Sequence, residues 1–314
     1  MSDSAFAIKA LPVGAEVTGL AEGAEHDPDI RAALLAAWLD HGFLLFRGIA
    51  TVERQIAISQ CFGELEVHPV PEVRHPDNPW LIELGGPRRT SAYVFDETDL
   101  RANRIAWHRD TAYSPDICKG AMLRMIEVPE LEGETLLADT AMAYDALPGD
   151  VKQRIETLEY HGTIRTDHLT TVGRPGTFWK AARAASEQED PGSEDMRARV
   201  AGIDLRYPSV IHPVVLTHPD SGRKCIFLSP TYVDHFVGLD EAESRELLGY
   251  LTDHMLQPRF VHRHKWRAND AIMWDNRRCM HAGVGNLPSE PRYGLRTTLA
   301  GPLRTGRYAQ AVPG

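Results

Sequence analysis

His108 and Asp110 stand two positions apart in the stretch AWHRDTAY, and both side chains can ligate a metal. In an extended strand, alternate side chains share a face. The two would then project together, and Arg109 between them becomes an outward-facing spacer. A third donor is needed for a two-histidine, one-carboxylate site, which leaves open positions on one face of Fe(II). The chain holds 14 histidines, so one H-x-D means little by itself. The His262–His264 run HRH reads as a solvated basic segment, and His161 and His168 flank loop-like sequence.

The segment MWDNRRCMHAG supplies a better third donor. An apolar strand ends at Trp274, Asp275 and Asn276, and His281 follows in a short segment. Arg292 and Arg296 come eleven and fifteen residues after His281, on or beside the last expected strand. Arginine can fork onto a carboxylate, which suits a dicarboxylate chelator. Taken singly, each arginine could equally be a surface strand residue.

The elements that would position these groups follow from periodicity and punctuation. Asp27-Pro28 opens a helix with Ile30, Leu34, Leu35, Trp38 and Leu39 at helical spacing, closed by Gly42. FLLFR, residues 43–47, is a short buried strand, and Thr51 caps a second helix through Phe62, closed by Gly63. Lys119–Pro129 reads as a buried strand, EGETLLAD as a turn and strand, and MAYDALPGDVKQRIETLEY as helical with Pro148 near a helix start. VIHPVVLTHPDSGRKCIFLS is a hairpin about Asp220, Ser221 and Gly222. Asp240 and Glu243 form a capping box before a helix whose apolar face is Leu247, Leu248, Leu251 and Met255. DAIMWDN and LRTTLAG are strands, the second being the last.

Many short strands with helices at the edges, no sustained βαβ alternation and no Gly-rich phosphate loop disfavour a doubly wound nucleotide-binding fold. The expected class is mostly β with flanking helices, a barrel or jelly roll. One domain over 1–314 is expected, with a mobile loop around 68–104 and an insertion or lid around 167–205, where residues 183–202 are charged and poor in large apolar groups.

Composition narrows the function further. Hydrophobic residues make up 43% and charged ones 25% of the 314 residues, which is enough for a sizeable core. The net charge of −10 and the lack of a basic stripe argue against nucleic acid as partner. No run approaches ~18 apolar residues, so no membrane span is expected, and the N-terminus has no signal-peptide pattern. The four cysteines form no CxxC pair and read as reduced, buried thiols of a cytoplasmic protein.

Seven segments in order carry a family resemblance: HGFLLFRG, CFGELEVHP, WHRDTAY, VPELEGETLLADTAMAYDALP, HPVVLTHPDSGRKCIFLSP, WDNRRCMHAG and RYGLRTTLAG. Through them the chain resembles the taurine dioxygenase-like (TauD/TfdA) family of Fe(II)/2-oxoglutarate-dependent dioxygenases, which also contains 2,4-dichlorophenoxyacetate dioxygenase. The resemblance implies a cupin-like double-stranded β-helix with iron held by His108, Asp110 and His281. It implies that Thr135 and Arg292 bind 2-oxoglutarate, and that Arg296 contacts the cosubstrate or an anionic substrate. With O2, 2-oxoglutarate would be converted to succinate and CO2 while a C–H bond of a small organic substrate is oxidised, most simply hydroxylated. Family members also form dimers or tetramers, so a homo-oligomer is expected.

The substrate pocket departs from a taurine pocket. Arg104 stands where taurine dioxygenase has an asparagine, Pro71 replaces a tyrosine, and EGET replaces GGDT, although His68 is kept. Substrate candidates are therefore His68, Tyr93, Arg104, Tyr113 and Arg296; Tyr93, Phe95 and Tyr113 could instead pack the loop. Three rivals are weighed at this point: a catalytically silent metal- or small-molecule-binding barrel; a zinc hydrolase, which would not need the Thr135–Arg292 clamp; and an interaction module without chemistry, against which the ordered match across most of the chain counts.

Overall fold

The structure is a computed structural model and describes residues 6–67, 74–86, 92–95, 99–163, 182–184, 208–301 and 303–310. The chain opens with strands β1 (Ala7–Ala10) and β2 (Ala15–Thr18), helix α1 (Pro28–His41), strand β3 (Phe43–Phe46) and helix α2 (Val52–Ser59). Strands β4 (Arg74–His75), β5 (Asn78–Gly85), β6 (Ala92–Phe95), β7 (Asp99–Ala102), β8 (Ile105–His108), β9 (Asp116–Ile117), β10 (Gly120–Glu127) and β11 (Thr135–Asp139) follow. Helices α3 (Thr140–Asp145) and α4 (Gly149–Ile155) precede β12 (Glu159–Gly162), β13 (Ala182–Ala184), β14 (Val210–Pro213), β15 (Val215–Thr217), β16 (Lys224–Ile226) and β17 (Val233–Phe236). Helix α5 (Glu241–Met255) leads to β18 (Val261–His264), β19 (Ala271–Asp275), β20 (Cys279–Gly283), β21 (Tyr293–Leu299), β22 (Leu303–Arg304) and β23 (Arg307–Tyr308).

Two sheets carry the site. The larger has eight strands in the order β1-β2-β3-β19-β10-β21-β5-β4, and the smaller has four, β18-β11-β20-β8. Strand alternation explains how they stack. On β3, Phe43 and Leu45 enter one cluster with Leu123, Leu137, Ile272, Trp274 and Cys279, which fills the space between the sheets. Leu44 and Phe46 face the other way, with Met122 and Met273, and meet Leu34, Trp38 and Ile58 of α1 and α2. On the far side of the smaller sheet, Trp107, Met280 and Ala282 pack against Tyr160, Phe236, Leu247 and Leu251. The result is a jelly roll with helices on both outer faces.

Local signals act as expected at most ends. Asp27 caps α1 by accepting from Asp29 N, Gly42 closes it at φ 81°, and Asp240 with Glu243 forms the capping box of α5. β15 and β16 pair antiparallel around the 220–222 turn. Four expectations are corrected. α2 ends at Ser59, short of Phe62. The 142–160 stretch is two helices separated at Pro148, a residue that lacks the N–H a continuous helix needs, and its end, with His161, forms β12. β21 is followed by two further short strands. The HRH run is β18, hydrogen-bonded to β11, with His264 only 3% exposed beside the Asp270 carboxylate.

The loop assigned to 68–104 contains β4 to β7, and residues 68–73, 87–91 and 96–98 of it lie outside the described residues, as does most of the 167–205 insertion. Among the described residues no helix is long and apolar enough to cross a membrane. All four cysteines are buried free thiols.

Candidate active site

β8 and β20 are antiparallel neighbours, and their register places His108 directly opposite His281. On β20, Met280 and Ala282 face the helices, so His281 between them faces the other sheet. There its ring lies 4.7 Å from that of Trp274, and 4.2 Å from that of His108. Trp107 faces the helices by the same alternation, which turns His108 inward.

Asp110 completes the cluster from just beyond the end of β8. The donor atoms of His108, Asp110 and His281 lie within 4.8 Å of one another. His108 Nε2 is 3.6 Å from Asp110 Oδ1, and His281 Nε2 is 3.7 Å from Asp110 Oδ2. These separations exceed a hydrogen bond and suit donors gathered about one ion. His108 Nδ1–H donates to Ala106 O at 2.7 Å, which leaves the Nε2 lone pair facing the cluster. A two-histidine, one-carboxylate set fits Fe(II) by the chemistry of its donors.

The electrostatics favour an anionic carboxylate beside a neutral His281 imidazole. Burial raises the Asp110 pKa, but Arg296, His281 and His108 together outweigh it and hold the group well below the ordinary carboxylate range. Burial, then His108, pushes His281 well below its usual value.

The backbone of Asp110 is held on both sides. Asp110 N donates to Asn276 Oδ1 at 2.8 Å, and Asn276 Nδ2 donates to Asp110 O at 2.9 Å. Thr111 follows at φ 58°, a left-handed conformation uncommon for a β-branched residue, and its hydroxyl donates to Asp110 O at 2.7 Å. Arg109 points away from the cluster as alternation requires, but it does not face solvent. It is fully buried over the Phe227 ring. Its guanidinium donates to Asn276 O, Cys279 O, Ile226 O and Thr140 Oγ1 at 2.6–3.2 Å. The outward-facing spacer is in fact a buried tie between the β8 end and the β19–β20 turn.

Thr135 opens β11, which pairs with β20, and its hydroxyl accepts from Trp266 Nε1 at 3.0 Å. Arg292 lies just before β21 rather than on it. It is buried, and burial lowers its pKa to about 10. Its Nε donates to Gly133 O at 3.2 Å, two residues before Thr135, and among the described residues no carboxylate pairs with it. Glycines make this approach: Gly85 has φ 75°, and a Cβ there would stand 2.0 Å from Arg292 O.

Arg296 Nη1 donates to Asp110 Oδ1 at 3.0 Å and its Nη2 stands 2.8 Å from Oδ2, with the guanidinium 5.6 Å from the Trp274 ring centroid. Tyr113 meets Tyr232 edge-on at 5.8 Å. Arg104 is half-buried between β7 and β8. Tyr93 is placed only as a β6 position opposite Arg101, and His68 lies outside the described residues. The sequence reading missed Asn276, Tyr232 and the tie made by Arg109. Asn276 stood in plain view in WDN, but nothing in its spacing announced its reach to Asp110.

A jelly roll with this donor set between its sheets defines the class of Fe(II)/2-oxoglutarate-dependent dioxygenases. The profile of the taurine catabolism dioxygenase TauD, TfdA family matches residues 7–298, and the chain belongs to that family. It is 33% identical over 291 residues to the (S)-phenoxypropionate/alpha-ketoglutarate-dioxygenase of Sphingobium herbicidovorans, covering 92% of each chain. It is 32% identical over 248 residues to the alpha-ketoglutarate-dependent 2,4-dichlorophenoxyacetate dioxygenase of a Burkholderia species, covering 76% of this chain and 75% of the relative. Among solved structures, AAD-2 in complex with Mn(II) and N-oxalylglycine is similar at TM-score 0.69 and 25% identity, covering 96% of this chain and 99% of that one.

Proposed function

We propose that His108, Asp110 and His281 hold Fe(II), that Thr135 and Arg292 bind the distal end of 2-oxoglutarate, and that the chain oxidises a C–H bond of a small organic acid. The observation that carries this reading is the convergence of three donors within 4.8 Å, with the buried, carboxylate-free Arg292 on the same sheet assembly. When bound, iron with 2-oxoglutarate and O2 supplies the oxidising equivalents, leaving succinate and CO2. The protein's own groups do the rest. Arg292 is a buried cation awaiting an anion, which favours a carboxylate there over water. Asp110 stays ionised, and the Trp274 ring covers one side of His281.

Both of the Arg296 nitrogens that reach Asp110 are engaged by its carboxylate, so we assign Arg296 to fixing that carboxylate rather than to cosubstrate. Tyr113, Arg104, Tyr93 and His68 are kept as substrate-side residues. Aryloxyalkanoates are the first substrate class to test, because the relatives named above act on them. No ligand or clamp position is missing, which counts against a silent barrel. The family match over 7–298 supports one domain. The four buried free thiols support a cytoplasmic location, and the resemblance supports a homo-oligomer.

The test is anaerobic addition of Fe(II) and 2-oxoglutarate, then aerobic succinate release across aryloxyalkanoates, alkyl sulfates and sulfonates. The reading requires a visible charge-transfer band and succinate coupled to one class. Absence of both would end it.

A further inference from the structure

A second group of metal-capable side chains lies outside the site above, on the sheet ordered β17-β12-β14-β23. β12 and β17 are antiparallel, with His161 opposite His235. The next pairing joins Gly162 to Val233, so Asp234 is an extra residue in a β-bulge. A bulge sets two consecutive side chains against one partner position, which overrides the usual alternation. That is how Asp234 and His235, adjacent in sequence, both reach His161. The donor atoms of the three lie within 4.8 Å of one another.

The details suit a cation. The His161 and His235 rings are near parallel, 13° apart, with centroids at 5.0 Å. His235 Nδ1 is 3.0 Å from Asp234 Oδ2; donating there orients the ring and frees Nε2. His161 Nδ1 is buried without a hydrogen-bond partner among the described residues, an uncommon state for a polar atom and one that bound metal or ordered water would relieve. Glu159 shares the face by alternation but is taken by Arg307. The opposite face of β12 is core, where Tyr160 packs with Phe236, so the cluster is separate from the dioxygenase site.

We propose that His161, Asp234 and His235 form a second metal site, which binds a divalent transition cation of the zinc or nickel type across β12 and β17. Two imidazoles and one carboxylate select such borderline ions over magnesium or calcium, which prefer all-oxygen shells. Three protein donors leave room for water. The ion would staple β17 to β12. β17 begins two residues after Thr231, whose hydroxyl donates to Trp107 O at 2.9 Å, next to His108 in sequence. The inference uses none of the residues assigned to oxidation, and it stands or falls apart from them.

Zinc alone is the probe, with bound metal counted after equilibrium dialysis at low-micromolar free zinc. Asp110→Ala removes the first site and should leave one bound zinc; adding His235→Ala should remove it. In the otherwise native chain, His235→Ala should lower the count from two to one and leave the Fe(II)/2-oxoglutarate absorbance band unchanged. This native-background pair decides the matter if Asp110→Ala does not fold. No zinc on folded Asp110→Ala, or the same count with and without His235, overturns the site.

Discussion

Asn276 grips Asp110 as a strand neighbour would, with its amide accepting from Asp110 N at 2.8 Å and donating to Asp110 O at 2.9 Å. A side chain here does the work of a backbone ladder just where β8 has ended. The carboxylate direction then depends on one amide and on the left-handed Thr111. Replacing Asn276 with Ala leaves the buried Asp110 N–H without its acceptor and its C=O with only the Thr111 hydroxyl. Metal affinity should fall ~10–100-fold, as for other groups that orient a ligand without touching the ion. Titration of the apo protein with Mn(II) measures this directly. An unchanged affinity in folded protein would remove Asn276 from the role.

Arg109 joins the β8 end to the β19–β20 turn through several carbonyls, with no carboxylate among its hydrogen-bond partners. Arg109→Met keeps bulk but strands those carbonyls in the core. The expected loss of stability is ~3 kcal/mol or more. Denaturant unfolding of apo protein reads it. Arg109→Lys should recover only part, because one ammonium cannot span the same fork. A neutral Arg109→Met would contradict the tie.

The jelly roll was legible because buried strands such as FLLF and AIMWD announce themselves, and because the caps at Asp27, Thr51 and Asp240 are local chemistry. His108, Asp110 and His281 were legible as types at recurring distances. Their meeting was not, since it depends on the β8–β20 register, set by pairing across 173 residues of chain. Arg109 was misread because alternation gives a direction but not what waits there. The far side of this strand is a second core, not water. His262–His264 was misread for the same reason: a polar run looks solvated until β11 and Asp270 are found against it.

Arg292 is buried, with its pKa lowered to about 10 by desolvation alone. The folded apo protein therefore bears a cost that a bound carboxylate would offset. Arg292→Met should leave apo stability equal or higher, and should raise the KM for 2-oxoglutarate ~10–100-fold, the weight of a charged hydrogen bond. The decisive readout is thermal: 2-oxoglutarate with Mn(II) should raise Tm for the native chain and scarcely for the variant. Equal shifts would place the cosubstrate elsewhere.

His212 gives a pH dependence with a definite sign. It is fully buried, its Nε2–H donates to Ala112 O at 3.1 Å, and burial lowers its pKa to about 4. Unfolded, it would titrate near 6.5, the ordinary histidine value. Between those values the unfolded chain binds the extra proton, so stability is full above about pH 6.5 and falls as pH drops towards 4. The loss from this one group is ~3 kcal/mol. His262, also lowered to about 4 by burial and then by His264, adds to it in the same window. Urea unfolding at pH 7 and pH 5 should show the drop, and His212→Gln should flatten part of the slope while lowering stability at pH 7. If the native chain and His212→Gln lose the same stability between those pH values, the buried neutral His212 is not its source.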